Sequence, residues 1–309
     1  MNNPIRHSQY GGVANSILQL AVFAAFVGFI YWNYQSRGDQ DEQASLSESE
    51  SSLADAADFG DDATHDDVDT APTNDTPNEG LAEESAPLTD KNGNVFSYLV
   101  VGDLLPESGP GFFDQTIYRP DIAFPTEGPA YLNSQVYRYG GYYGSINQME
   151  GGQCEPENYV YPWQDTFCEK RSRDQALCPG GGHEGLDIRP ASCDKNIHWA
   201  VATEDARVVD VRRHWVTLQT ADGTLYNYLH LNMAALEVAE GDLVAKGDRI
   251  GLISNDFYKS DGTSVATTIH LHFEMYENYV ADEASEPLFT KVNPYVTLVA
   301  AYDRKLRQK

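Results

Sequence analysis

The fold is decided by the stretch Thr268-Ile269-His270-Leu271-His272-Phe273-Glu274-Met275-Tyr276. Read as a β-strand, it places residues i and i+2 on one side. His270 and His272 then present two imidazoles side by side, so that one can bind a metal while the other reaches a metal-bound water. Glu274 lies on the same face, either as support for a ligand imidazole or as a structural partner. Working outward, further β patterns occupy Trp199–Thr203, Arg207–Arg212, Trp215–Thr220, Thr224–Leu231 and Asp248–Ser254. Turn signals separate them at Asp222-Gly223, Gly241-Asp242, Gly247-Asp248 and Asp261-Gly262. No long stretch of helical period intervenes over residues 91–309, and no internal repeat or heptad run is present. The expected class is a mostly-β, antiparallel domain.

Two more motifs carry histidine. One is Gly180-Gly181-Gly182-His183-Glu184-Gly185-Leu186-Asp187, and the other is Tyr228-Leu229-His230-Leu231. His183-Glu184-x-x-Asp187 superficially matches a helix-borne zinc motif, which needs a helix to bring i and i+4 together. The surrounding glycines disfavour a helix, so a loop entering a strand is expected, with Glu184 facing solvent.

Taken in this order, the three motifs resemble the lysostaphin/LytM-type zinc endopeptidases of the M-twenty-three peptidase family. The likeness extends to Pro125-Thr126-Glu127-Gly128, to residues 240–251 and to Asn293-Pro294, covering roughly residues 120–300. The resemblance implies a LytM/lysostaphin-like antiparallel β metallopeptidase domain of the duplicated-hybrid-motif type over 120–300. It implies one catalytic Zn2+ held by His183, Asp187 and His272, with water in the fourth position as a catalytic site requires. His270 would act as general base, and His230 would position the water or stabilise the oxyanion. The implied substrate is bacterial peptidoglycan, cut in its peptide cross-bridges or stems. Some relatives lack metal ligands and act only as activators or scaffolds of other wall hydrolases; here every expected ligand is present. A protease of a protein substrate needs the same metal chemistry and stays open. In some members an upstream segment blocks the zinc, and residues 94–119 could do so here.

The rest of the chain is organised differently. Residues 13–32 form a mostly apolar run, long enough to cross a bilayer and ending in Tyr31, Trp32 and Tyr34 at the expected interface. A single transmembrane anchor over 13–34 is expected. It follows a short cytoplasmic N-terminus (1–12), with N-in orientation and the catalytic domain in the periplasm or extracytoplasmic space at the bacterial inner membrane. Residues 39–90 hold 17 acids and no Lys or Arg; such a segment buries too little apolar surface to offset its ordering entropy. An acidic, disordered linker is therefore expected over 35–94, an upstream segment over 95–119, and a basic tail over 301–309. The whole chain carries 47 acidic against 21 basic residues, a net charge of -26, which excludes a nucleic-acid partner.

The four cysteines fall between Cys154 and Cys193, around the first histidine motif, and Cys154, Cys168 and Cys178 lie in a long insertion running from about Tyr142 to Gly182. In an extracytoplasmic setting disulfides persist, and sequence proximity favours Cys154–Cys168 and Cys178–Cys193. His7, His65, His198 and His214 lack motif context and read as surface or packing residues. Tyr137, Tyr139, Tyr142 and Tyr143 read as half-buried sheet.

Overall fold

The strands fall where alternating apolar and β-branched residues are bounded by the turn signals above. The computed structural model describes residues 87–134, 152–171, 175–258, 262–282 and 284–308. The expected anchor, most of the expected linker, Tyr137, Tyr139, Tyr142, Tyr143, His7 and His65 lie outside the described residues. Among the described residues no helix is long and apolar enough to cross a membrane.

The described residues build an eight-stranded antiparallel sheet from β1 (Ala130–Leu132), β2 (Leu186–Pro190), β4 (Ala206–Val211), β5 (Trp215–Gln219), β6 (Leu225–Leu229), β8 (Leu243–Val244), β12 (Leu271–Tyr279) and β13 (Leu288–Val292). Its order is β1-β2-β12-β6-β5-β4-β8. β12 uses one edge for β6 and shares the other between β2, at Leu271–Phe273, and β13, at Met275–Tyr279. A second sheet joins β3 (Trp199–Val201), β9 (Arg249–Ile253) and β7 (Leu231–Leu236), and β10 (Asp256–Tyr258) pairs with β11 (Ser264–Ala266) as a separate ladder. Val208, Leu218, Tyr226, Tyr228 and Phe273 of the large sheet and Ala200, Ile250, Ile253 and Leu231 of the small one share one buried core.

The mostly-β expectation therefore holds, with three corrections. The single strand expected over Thr224–Leu231 is two. His230 adopts a left-handed backbone with φ of 65°, and the chain leaves the large sheet before it and enters the small sheet after it. Second, the expected basic tail is the end of a helix, α1 (Tyr295–Arg307). Its residues Tyr295, Leu298, Val299, Tyr302 and Leu306 are buried and recur at the spacing of one helical face. Asn293 Oδ1 accepts the Tyr295 N–H at 3.0 Å, and Arg304, Lys305 and Arg307 sit in the last turn, where cations suit the helix dipole. Tyr302 packs on Trp163 at a ring separation of 4.4 Å, and the Trp163 indole donates to Ala130 O at 3.1 Å. Third, residues 87–94, expected as linker, fold back as a turn. Asp90 Oδ1 accepts the Asn92 and Asn94 N–H groups, and the Phe96 N–H bonds to Leu88 O.

The disulfide expectation is also corrected. The bonds are Cys154–Cys193 and Cys168–Cys178, each with Cα atoms 5.3 Å apart. Chain proximity misleads because Gln153 is fastened elsewhere. Its carbonyl accepts from the Arg189 guanidinium at 2.7 Å and its side-chain oxygen from the Ile269 N–H at 2.9 Å. Both contacts pull Cys154 toward the end of β2 and the turn holding Cys193. Cys168 and Cys178 then close a short loop next to His183.

Candidate metal centre

Strand register assembles the site. Asp187 of β2 is the register partner of His272 on β12, and on the other edge His272 pairs with Leu229, the residue before His230. His183 enters from the loop ahead of β2, as expected of a glycine-rich segment that is not helical. The glycines flanking it permit close packing: a Cβ on Gly185 would lie 2.4 Å from Phe273 O, and one on Gly182 would lie 2.7 Å from Cys178 Cβ.

Three polar atoms converge. His183 Nε2 lies 2.9 Å from His272 Nδ1, His272 Nδ1 lies 3.0 Å from Asp187 Oδ1, and Asp187 Oδ1 lies 3.2 Å from His183 Nε2. All three residues are buried, and together they form a group able to hold a metal. This near-equilateral triangle is close to the roughly 3.3 Å spacing that a tetrahedral centre with bonds of about 2.0 Å requires. Two nitrogens and one carboxylate oxygen are also a donor set suited to zinc, so the residues present fit the ion.

Each imidazole is aimed by its second nitrogen, as hydrogen-bond partners fix ring tautomers. His183 Nδ1 is 2.8 Å from Thr166 O, which accepts its proton and leaves Nε2 for the centre. His272 Nε2 is 3.1 Å from Glu274 Oε1, which leaves Nδ1 inward. Glu274 thus contacts the His272 ring, and it also accepts from Asn227 Nδ2 at 2.7 Å and pairs with Lys291 Nζ at 3.3 Å, so its contacts fit both roles open for it. His270 Nδ1 is 2.9 Å from Thr268 O, and its Nε2 lies 3.3 Å from Asp187 Oδ1. His230 Nδ1 is 2.9 Å from Asp256 O, and the His230 and His270 rings are 4.6 Å apart. All five residues singled out from the sequence thus meet in one place.

Electrostatics follow burial and neighbours. Burial pushes His183 down to about 4, so its ring is neutral. Burial also opposes charge on Asp187, yet the His183 and His270 imidazoles outweigh it and hold the carboxyl well below its usual value. His272 goes the other way. Burial lowers its pKa, but the bonds to Asp187 and Glu274 prevail and raise it to about 9 in the metal-free chain. Burial and the adjoining imidazoles keep His230 neutral.

Glu184 corrects the sequence reading. It is buried rather than solvent-facing, and its Oε2 pairs with the Lys291 ammonium at 2.9 Å. Sequence reasoning also missed Thr166, Asp256 and Thr268, whose backbone carbonyls aim three rings. Backbone carbonyls exist at every residue and leave no signature in side-chain identity. His198 bonds to Ser192 Oγ at 2.8 Å, as a packing residue would. His214 lies near parallel to His230 with ring centres 6.5 Å apart. The upstream segment packs on the chain that holds His183. The Leu99 N–H bonds to Trp163 O, and the Gly102 N–H bonds to Asp165 Oδ2 at 2.8 Å.

The model of peptidase family M23 matches residues 181–284, which contain His183, Asp187, His230, His270 and His272. No curated protein matches the chain. Among solved structures, a LytM protein from Ruminococcus gnavus, assigned as a glycyl-glycine endopeptidase, is 20% identical; the match covers 59% of this chain and 61% of that one, with a TM-score of 0.35. The catalytic domain of lysostaphin from Staphylococcus simulans is 24% identical over 39% of this chain and 81% of that one, with a TM-score of 0.29. A SpoIIIAH–SpoIIQ complex matches at 16% identity over 56% of this chain and 97% of that one, with a TM-score of 0.33. The segment 181–284, with all five converging residues in it, is thus the part of the chain that is similar to family M23 peptidases.

Proposed function

We propose that the chain is a zinc endopeptidase of peptidoglycan, hydrolysing peptide bonds in cross-bridges or stems. The observation that carries this reading is the triangle of His183 Nε2, Asp187 Oδ1 and His272 Nδ1, flanked by two imidazoles that are not part of it. Zinc held there would supply a Lewis acid and an acidified water. His270 suits proton transfer. Its Nδ1 is committed to Thr268 O, so Nε2, beside Asp187, is the atom able to take a proton at the centre. His230, neutral with Nδ1 committed to Asp256 O and its ring 4.6 Å from that of His270, keeps its Nε2 to orient a water or a developing oxyanion. Burial of the five side chains excludes bulk water, which strengthens each of these interactions.

The catalytic domain in this reading spans about 120–300 and is completed by α1. Anchoring at the inner membrane through residues 13–34, with the domain outside the cytoplasm, is supported by the apolar run at 13–32. The two disulfides add support, since such bonds persist outside reducing compartments.

The test is digestion of purified peptidoglycan by the full chain with zinc, with product masses identifying the bond. Peptide fragments that vanish with a chelator support the proposal. Intact sacculi after incubation with a demonstrably zinc-loaded chain refute it.

A further inference from the structure

Lys291 is an unexpected component of the site. It lies on β13 opposite Tyr276, almost wholly buried at 9% exposure. A buried ammonium needs partners to offset lost hydration. Its ammonium reaches Glu184 Oε2 at 2.9 Å and Glu274 Oε1 at 3.3 Å. The other oxygen of Glu274 accepts from Asn227 Nδ2 at 2.7 Å, and Asn227 Oδ1 accepts from the Thr217 hydroxyl at 2.8 Å. Lys291 and Asn227 thus pin the two Glu274 oxygens from different strands. The oxygen on the Lys291 side is the one that receives His272 Nε2. Glu184 comes from the His183 loop and reaches Lys291, so the same ammonium joins the segments bearing His183 and His272.

We propose that Lys291 is a positioning residue of the metal centre. By clamping Glu274 between itself and Asn227, it fixes the His272 ring with Nδ1 turned toward His183 and Asp187. Without the clamp, Glu274 is free to turn away from Nε2, and the His272 ring loses the contact that distinguishes its two nitrogens. This rests on the zinc reading above, but acts on a group that touches no metal itself. Loss of such outer support typically lowers metal affinity by about 10- to 100-fold.

The experiment compares zinc affinity of the full chain as wild type, Lys291→Met and Lys291→Arg, by competition with a chromogenic chelator. Melting of each metal-free form is measured in parallel. Cadmium-113-loaded chains with nitrogen-15 histidines report which His272 nitrogen binds. We expect Lys291→Met to lose affinity by about 10- to 100-fold and to show cadmium coupling shared between the two nitrogens. Lys291→Arg should recover most of the loss, because it restores the pinning charge. If Lys291→Met fails to fold, Glu184→Gln loosens the same clamp and should shift affinity in the same direction by less. Wild-type affinity in the folded variant, or coupling wholly through Nδ1, overturns the proposal. A wild-type chain that binds no zinc overturns the peptidase reading and this inference together, whereas equal binding by wild type and Lys291→Met overturns this inference alone.

Discussion

Asp187 and His272 face each other as register partners across the β2–β12 ladder, with Oδ1 and Nδ1 3.0 Å apart. Two side chains of the candidate metal centre are therefore set by backbone pairing rather than by loop conformation, and of its three residues only His183 arrives on a loop.

The first prediction concerns stoichiometry. One zinc should bind per chain, and His272→Ala should abolish both binding and activity, because the two remaining ligands cannot hold the ion. Elemental analysis showing full occupancy in that variant would rule out the assigned ligand set.

Zinc uptake should release a proton. In the metal-free chain His272 is raised to about 9 and His183 lowered to about 4, so at neutral pH His272 is charged and His183 is not. Metal must displace the His272 proton. Affinity should rise about tenfold per pH unit through the neutral range and level off above about 9. Calorimetry in buffers of different ionisation enthalpy should give about one proton released per zinc. The sign for folding is opposite. The raised pKa stabilises the metal-free chain below 6.5, and that contribution is lost as pH rises through about 9.

His270→Ala should keep zinc yet lose about 10²- to 10⁴-fold in rate, the usual contribution of a proton-transfer group. Wild-type turnover in this variant would remove His270 from the mechanism.

The two disulfides should differ in worth. Loop-closure entropy gives about 4 kcal/mol for the longer Cys154–Cys193 loop and about 3 kcal/mol for Cys168–Cys178, before any native strain is subtracted. Double Cys→Ser variants unfolded in urea should rank in that order. The shorter bond should also matter for metal, because the Cys168 N–H bonds to His183 O and the His183 N–H to Glu169 O. Mass mapping of the unreduced chain that finds Cys178–Cys193 would contradict the structure.

Much of the fold was readable in the chain. Trp215–Thr220 and Asp248–Ser254 are recovered as Trp215–Gln219 and Arg249–Ile253, because β-forming runs end at Asp-Gly and Gly-Asp turns. The helix α1 is hard to read in the chain although its spacing is present. Its partners Trp163 and Phe96 come from far upstream, and Asn293-Pro294 reads more readily as a terminus than as a helix start. At the site, the histidines and Asp187 announce themselves by type and order. Glu184 and Lys291 do not, because charged residues are ordinarily exposed, and their mutual burial appears only when β13 is laid beside β12. The cysteine pairing was missed for a similar reason: which thiols meet depends on where Gln153 is fastened, not on distance along the chain.

His230 bends the backbone into a conformation that non-glycine residues seldom adopt, and it does so where the polypeptide crosses from one sheet to the other. Its imidazole is thus mounted on the joint itself. Any sliding of the small sheet against the large one would tilt this ring, while His270, within a loop tied to β12, would stay put. The aim of this ring becomes a gauge of how firmly the two sheets are seated, and loosening at the Leu231–Ile253 pair should register first as a misaimed His230. Replacement by glycine keeps the bend and discards the ring, whereas replacement by alanine keeps the strain as well. The difference between those two variants isolates what the geometry of the joint costs from what the imidazole does.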